Sequence, residues 1–227
     1  MSATMGVGVA SEQMLALPEN QVSGEWSRGE TDSNCFAVPP EPVLRLTVEQ
    51  YHGMIRAGIL VDGDPMELLE GWLVQKMTKY PPHVLSAGCT LDALAAVVAG
   101  GWHVRAEGPV TTRDSEPEPD VSVVQGRRRD YANRHPSPKE VSLLVEVGDT
   151  PLERDRSWKK HIYAAAGIPC YWIVNLIDGQ VQVHTQPSGP GEQADYAARQ
   201  VYRRGDRIPV VLDGAQAGPV AVDDLLP

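Results

Sequence analysis

The stretch 143-LLVEVGDTPLERDRSWKK-160 decides how this chain folds. Its first residues, Leu143–Val147, form an apolar run that predicts a buried strand carrying one glutamate, Glu146. The residues that follow lead into "HIYAAAG", which predicts a helix that ends at Gly167. The apolar run "CYWIVNL" then predicts a second strand. Strand, helix and strand within about 35 residues make a βαβ unit, so we expect parallel neighbouring strands in an α/β fold.

Shorter patterns predict the other elements. "LTVEQYHGMIRAGIL" predicts a helix that Thr47 caps and Gly58 ends, and "MELLEGWLVQKM" predicts two strands joined by a turn at Glu70 and Gly71. "WHVRAEG" and "PDVSVV" predict strands, and "QVQVHT" predicts a hairpin strand at the edge of the sheet. After Pro187 we expect mixed loops and short strands.

The segment "HVLSAGCTLDALAAVVAGG" predicts the clearest helix of the chain, which Gly100 and Gly101 end. Its apolar residues recur at helical spacing, so we expect them to form one broad buried face. The residues expected on that face are Val84, Leu85, Leu91, Leu94, Ala95 and Val98.

The net charge of −10 is unevenly distributed along the chain. Residues 1–42 carry six acidic side chains and one basic one, and residues 206–227 carry four acidic and one basic. We expect residues 1–42 to be a mobile acidic tail, because they lack periodicity and are rich in Ser, Gly, Glu and Pro. Residues 43–227 are expected to form one domain. Its basic residues cluster at 127–129, 154–160 and 203–204, which is compatible with a phosphate-backbone partner.

Cysteine usage and hydropathy bear on the location of the protein. The three cysteines, Cys35, Cys89 and Cys170, have neither disulfide-framework nor zinc-site spacing, which favours a reducing, cytoplasmic location. No run of about 18 apolar residues predicts a membrane helix. The N-terminus lacks the basic region of a secretory signal.

Two acidic residues stand at the ends of predicted strands. Glutamate is rarely buried unless it is paired or binds a metal ion. Glu146 lies near the carboxyl end of its strand, where open α/β sheets place their sites. Asp120 opens the strand "DVSVV" directly after Pro119. If the two strands pair antiparallel, Asp120 and Glu146 are close enough to hold one Mg²⁺, with water and a phosphate oxygen as further ligands.

A lysine follows on the predicted helix. Asp155, Lys159 and Tyr163 are four residues apart and share one helix face, which folds back towards Glu146. A lysine there can stabilise the charge of a phosphorane-like transition state or orient the attacking water. A metal ion, carboxylates and a lysine together are typical of phosphodiester hydrolysis.

Each of these residues also has a purely structural interpretation. Glu146 is then a buried acid paired with Arg105 or Lys159, and Asp120 is a turn residue at the start of a strand. His83 is then a cap or a surface histidine at the start of its helix. The functional interpretation depends on the whole group and not on any one member.

The runs "PEPDVSVV" and "LLVEVGDTPLERDRSWKKHIYAAAGIPCYWIVN" resemble the Uma-two family of restriction-endonuclease-like proteins, within the PD-(D/E)XK nuclease superfamily. "MELLEGWLV" and "PPHVLSAG" are similar to further family segments, and the resemblance extends from about Leu44 to the C-terminus. It implies a restriction-endonuclease-like α/β core with a central mixed β-sheet flanked by helices. It also implies Mg²⁺-dependent endonuclease cleavage of DNA, with Mn²⁺ as a substitute for Mg²⁺.

The resemblance also implies roles for individual residues. Asp120 and Glu146 match the metal ligands. The superfamily lysine usually stands two positions after the acid, where this chain has Gly148, and Lys159 resembles the lysine of members in which it has moved to the next helix. Glu67 and His83 match further family positions near the site. The other departures are at Trp72, Cys170 and Asn175, where the family usually has acidic residues.

Two other functions stay open on the sequence. The acidic balance and the missing acids favour a non-catalytic nuclease-fold protein that binds or assembles with a partner. A metal-dependent hydrolase of another phosphoester would share the same site. Cleavage of both DNA strands favours a homodimer, although no pattern in the sequence indicates its symmetry.

Overall fold

The computed structural model describes residues 43–61, 63–76, 78–148 and 154–227, with the backbone alone at 154–156. The tail predicted over residues 1–42 lies outside the described residues. In chain order the main elements are α1 (Val48–Arg56), β1 (Met66–Leu69), β2 (Trp72–Gln75), α2 (Pro81–Val97), β3 (Trp102–Ala106), β4 (Val121–Gln125), β5 (Val141–Gly148), α3 (Lys160–Ala165), β6 (Cys170–Asn175), β7 (Gln180–Pro187), β8 (Tyr196–Arg203), β9 (Arg207–Leu212) and β10 (Ala215–Ala221).

Six strands form the central sheet, in the order β3-β4-β5-β6-β7-β8. β5 and β6 are parallel and α3 lies between them in the chain, which confirms the predicted βαβ unit. The other neighbouring pairs are antiparallel, so the sheet is mixed. A π-helical turn, Arg154–Lys159, leads into α3. No helix among the described residues is long and apolar enough to cross a membrane.

The middle strands are buried on both faces, because alternate side chains point to opposite sides of the sheet. On β5, Leu143, Val145 and Val147 belong to a core that includes residues of α2 and of the β9–β10 hairpin. Leu144 belongs to the core on the α3 side, and Glu146 also contacts α3. Glu146 therefore points to the α3 side of the sheet.

β1 and β2 form the predicted hairpin, and its turn residues Glu70 and Gly71 have φ angles of +47° and +81°. Positive φ at both turn residues is the requirement of a type I′ turn. A Cβ at Gly71 would lie 2.6 Å from the Cβ of Arg45, so only glycine fits. A bridge between Leu68 and Glu116 attaches the hairpin to the segment that leads into β4.

The buried face of α2 agrees only in part with the one predicted: Leu94 is fully buried, and Leu91 and Val98 pack against the core. Val84 and Leu85, expected on the buried face, are 57% and 55% exposed. The buried residues of α2 are His83, Ser86, Thr90 and Leu94. Small side chains on this face allow close packing, and the Ser86 hydroxyl donates a hydrogen bond to the carbonyl of Leu225. The prediction was wrong at the start of the helix, where it placed Val84 and Leu85, rather than the small Ser86, on the buried side.

The C-terminal region contains more strands than predicted. The prediction that β7 lies at the edge of the sheet is wrong, because β8 pairs along it. Half of the residues of β8, "YAARQVYR", are exposed, and its apolar and polar residues do not alternate, so the strand pattern does not reveal it. β9 and β10 form a hairpin that adds Ile208, Val210 and Val220 to the core.

Candidate active site

Asp120 lies directly before β4, at the sheet edge where β5 ends. β4 and β5 are antiparallel with Val121 opposite Val145, so the register extended by one residue places Asp120 opposite Glu146. Residues opposite one another point to the same face of the sheet. The backbone N–H of Val147 donates to Oδ2 of Asp120 over 2.8 Å. The two acids, only 4% and 5% exposed, therefore converge at one edge of the sheet.

The second oxygen of Asp120 has two partners, one in the first turn of α2 and one in the loop before it. Oδ1 lies 3.1 Å from Nε2 of His83 and 2.9 Å from Nζ of Lys79. The Lys79 ammonium also lies 3.0 Å from Oε1 of Glu107. Burial lowers the pKa of Lys79, but the attraction of Asp120 and Glu107 outweighs it, so that pKa is raised. The Lys79 ammonium is therefore charged at neutral pH. The predicted site residue His83 is in contact with Asp120, and it is 6% exposed rather than at the surface.

Two side chains, one from the π-helical turn and one from α3, contact Glu146. Nζ of Lys159 lies 3.0 Å from Oε1 of Glu146, and the hydroxyl of Tyr163 donates to the same oxygen over 2.7 Å. Burial, followed by the charge of Glu146, raises the pKa of Tyr163 well above its ordinary value, so the phenol keeps its proton. Both residues therefore contact Glu146 from the helix face on which the sequence placed them.

Glu67, on β1, supplies a second carboxylate to the same lysine. Its Oε2 lies 3.2 Å from Nζ of Lys159 and accepts the backbone N–H of Glu118 over 3.3 Å. Glu67 is 2% exposed, so its charge is nearly removed from water. A buried carboxylate needs such partners. Lys159 thus lies between Glu67 and Glu146.

The position of Lys159 depends on the β1–β2 turn. Glu70 in that turn accepts the indole N–H of Trp158 at Oε2 over 2.7 Å, and its Oε1 lies 3.4 Å from Nε2 of His161. These two residues flank Lys159 closely in the chain. Glu70 therefore ties the start of α3 to the hairpin that also carries Glu67.

Some of these contacts could not be predicted from the sequence. Lys79 lies in the loop four residues before His83, so helical spacing does not connect it with the site. The role of Glu70 depends on how α3 packs on the hairpin, and the sequence does not reveal that packing. Asp155, predicted on the same helix face as Lys159, has a side chain outside the described part of the structure.

One structural alternative is wrong. Arg105 does not pair with Glu146; its guanidinium lies over the ring of Tyr131, 5.9 Å from the centroid. The other suggested partner of Glu146, Lys159, does pair with it. The ion pair between Lys159 and Glu146 agrees with both the structural and the functional interpretation.

Two departures from the family pattern, Cys170 and Asn175, have structural surroundings of their own. Cys170 packs against the core on the opposite face, and burial raises the pKa of its thiol to about 12, so the thiol is neutral. Oδ1 of Asn175 accepts the backbone N–H groups of Ile177 and Asp178 and stabilises the turn after β6. Gly148 ends β5 and has no side chain to offer.

The carboxylates of Asp120 and Glu146 are oxygen donors of the kind that divalent cations prefer. Among the described residues, no group of three or more His, Cys, Asp or Glu is arranged to hold a metal ion. Mg²⁺, however, is usually bound by one or two carboxylates, and water and substrate oxygens supply the rest. Asp120 and Glu146 are two such oxygen donors at one sheet edge. They are the residues that would hold the ion.

Comparison with known proteins finds a matching family and structures of similar fold. Residues 48–221 match the model of the Uma2 family, described as "Putative restriction endonuclease". The fold is similar to that of a solved structure described as a "putative nuclease belonging to DUF820 from Anabaena variabilis ATCC 29413", with 18% sequence identity and a TM-score of 0.56. That match covers 81% of this chain and 97% of the other. At this identity it shows the fold alone. No curated protein matches the chain.

Proposed function

The chain belongs to the Uma2 family, and we propose that it is a Mg²⁺-dependent endonuclease that hydrolyses phosphodiester bonds in DNA. The observation that carries this proposal is the pair of buried acids, Asp120 and Glu146, at one sheet edge. Lys159 forms an ion pair with Glu146. Carboxylates that are fixed by backbone and by a lysine keep their positions when substrate arrives. Mn²⁺ is expected to replace Mg²⁺.

Each residue has a distinct role in the proposal. A bound Mg²⁺ would supply Lewis-acid polarisation of the phosphoryl group and a water of lowered pKa. Asp120 and Glu146 bind the ion. Lys159 stabilises the negative charge that develops on the phosphate oxygens, as fixed cations do in such sites. His83 orients Asp120, and Glu67 keeps Lys159 in position.

The family description and the charges around the site support the proposed substrate class. Lys79 and Lys159 are ammonium groups close to the acids. Arg127–Arg129 follows the opposite end of β4, roughly 17 Å from Asp120 for a strand of this length. These arginines would contact a long phosphate backbone beyond the cleaved bond. A duplex cut on both strands would require two copies of the chain, which light scattering on the full chain would count.

Cleavage of supercoiled plasmid tests the proposal. We expect nicking or linearisation in Mg²⁺ or Mn²⁺, none in EDTA, and at least about a 100-fold loss in Asp120→Asn. Asp195→Asn is the control, because Asp195 is an exposed acid that pairs with Lys160 away from the site. Equal cleavage in EDTA, or full activity of Asp120→Asn, would refute the proposal. Parallel assays on RNA and on nucleotides distinguish a hydrolase of another phosphoester.

One observation favours a second candidate, a non-catalytic binding protein. Each acid already has an ammonium partner, Lys79 for Asp120 and Lys159 for Glu146. The carboxylates are thus compensated without a metal ion. Under this alternative, millimolar Mn²⁺ leaves the melting temperature unchanged, because a ligand stabilises only a folded state that binds it.

A further inference from the structure

Lys79 and Lys159 both contact the acids, but they differ in burial. The side chain of Lys159 is 7% exposed and lies between two buried carboxylates. The side chain of Lys79 is 38% exposed. Its second partner, Glu107, is 64% exposed and lies towards solvent. Of the two ammonium groups, Lys79 is therefore the one that can leave its carboxylate without passing through the core.

The bonds of Asp120 show why this difference matters. Its Oδ2 accepts the N–H of Val147, and its Oδ1 has both His83 and Lys79 within hydrogen-bond distance. A carboxylate has about four lone-pair positions, so three donors leave Asp120 little room for a further ligand. A divalent cation bound to Asp120 would also lie beside the Lys79 ammonium, and like charges separated by one carboxylate repel strongly.

We propose that Lys79 is a displaceable cation, which neutralises Asp120 until a divalent metal ion binds and then leaves it to contact a phosphate oxygen of the nucleic acid. The inference rests on the proposed function, because it assigns a further substrate contact to the same site. The flexible stem and three N–H donors of a lysine suit such a move. Glu107 is already in contact and holds the ammonium near the site.

The proposal makes opposite predictions for two affinities of Lys79→Met. Without DNA, Mn²⁺ should bind this variant about tenfold more tightly than the wild type in calorimetric titration, because a competing charge has been removed. With Ca²⁺ present to slow hydrolysis, a duplex should bind less tightly, and the salt dependence of binding should fall by about one phosphate contact. In EDTA the salt dependence should not change, because Lys79 then stays on Asp120.

Two variants serve as controls. Lys76→Met removes the same charge from a lysine that pairs with Glu118, 2.9 Å away, and should leave Mn²⁺ affinity unchanged. Lys79→Arg keeps the charge and should bind Mn²⁺ like the wild type. The inference is wrong if the wild type binds Mn²⁺ and Lys79→Met binds it no more tightly. It is also wrong if the salt dependence of duplex binding by Lys79→Met falls equally in EDTA. In both cases the proposed function stands. If the wild type itself binds no Mn²⁺, both fail.

Discussion

The backbone N–H of Val147 donates to Oδ2 of Asp120 over 2.8 Å, across the edge where β5 ends and β4 begins. The residue before Val147 in the chain is the second acid of the site, Glu146. The relative placement of the two acids is therefore set by strand register and a backbone hydrogen bond, not by flexible side chains. Sites built on rigid elements hold their geometry best.

Lys159→Met should strongly destabilise the fold. The change leaves Glu67 and Glu146 buried without the ammonium they share, and breaking a buried ion pair costs about 3–5 kcal/mol. Urea unfolding measures this free energy. Lys160→Met is the control, because Lys160 pairs with the exposed Asp195, and exposed pairs contribute about 0–1 kcal/mol. Equal losses in the two variants would contradict the account.

Tyr163→Phe should weaken the site with little change in shape. It removes one hydrogen bond to the charged Glu146, and such bonds contribute roughly 1.5–3 kcal/mol. We expect a lower unfolding free energy and about a tenfold slower cleavage, because residues that orient metal ligands typically have effects of that size.

Tyr131→Phe is the matched control for this prediction. Its hydroxyl donates to the carbonyl of Gln125, away from the acids, so its loss should leave cleavage unchanged. Equal cleavage by Tyr163→Phe and the wild type would show that the hydroxyl has no part in positioning Glu146.

Glu70→Ala should loosen the start of α3. It removes the acceptor of the Trp158 indole N–H and the partner of His161. We expect faster hydrogen exchange in Lys160–Ala165 and slower cleavage, because Lys159 loses its support from the hairpin. Glu49→Ala removes an exposed pair with Arg56 and should change neither. Unchanged exchange in α3 after Glu70→Ala would contradict the role given to Glu70.

Glu140 should make stability depend on pH in the acid range. The Arg134 guanidinium, together with Ser137 and against the effect of burial, lowers the pKa of Glu140 from 4.5 to about 2. A carboxyl whose pKa is lower in the folded state stabilises the fold above pH 4.5. That contribution disappears as the pH falls towards 2.

The variant Glu140→Gln isolates this effect. Its unfolding free energy should be lower than that of the wild type by about 1–2 kcal/mol near neutral pH, after allowance for the half-exposed Arg134, and the difference should shrink between pH 4.5 and 2. Urea unfolding across this range measures it. A difference that stays constant with pH would rule out the ion pair as its source.

The central strands and the acids could be predicted because they give strong local signals. The run Leu143–Val147 is apolar on both faces, and an acid within it is conspicuous. The antiparallel pairing that brings Asp120 to it follows once the strands are recognised. The contact with Lys79 is different, since it depends on how a loop passes over the sheet edge. No pattern of spacing carries that information.

The errors in the fold have a similar cause. At the start of α2 the structure buries small residues such as Ser86 and Thr90, whose place on the buried face hydropathy does not indicate. β8 forms because β7 offers it backbone hydrogen bonds, and its own sequence, which lacks apolar alternation, does not indicate a strand. Tertiary contacts decided both elements.

Diffraction from a crystal soaked in Mn²⁺, measured for its anomalous signal, tests the central claim most directly. The account predicts one peak at the end of β5, about 2.1 Å from a carboxylate oxygen of Asp120 and of Glu146, the distance expected for Mg²⁺-type coordination by oxygen. Full Mn²⁺ loading with no peak between these two acids would contradict it.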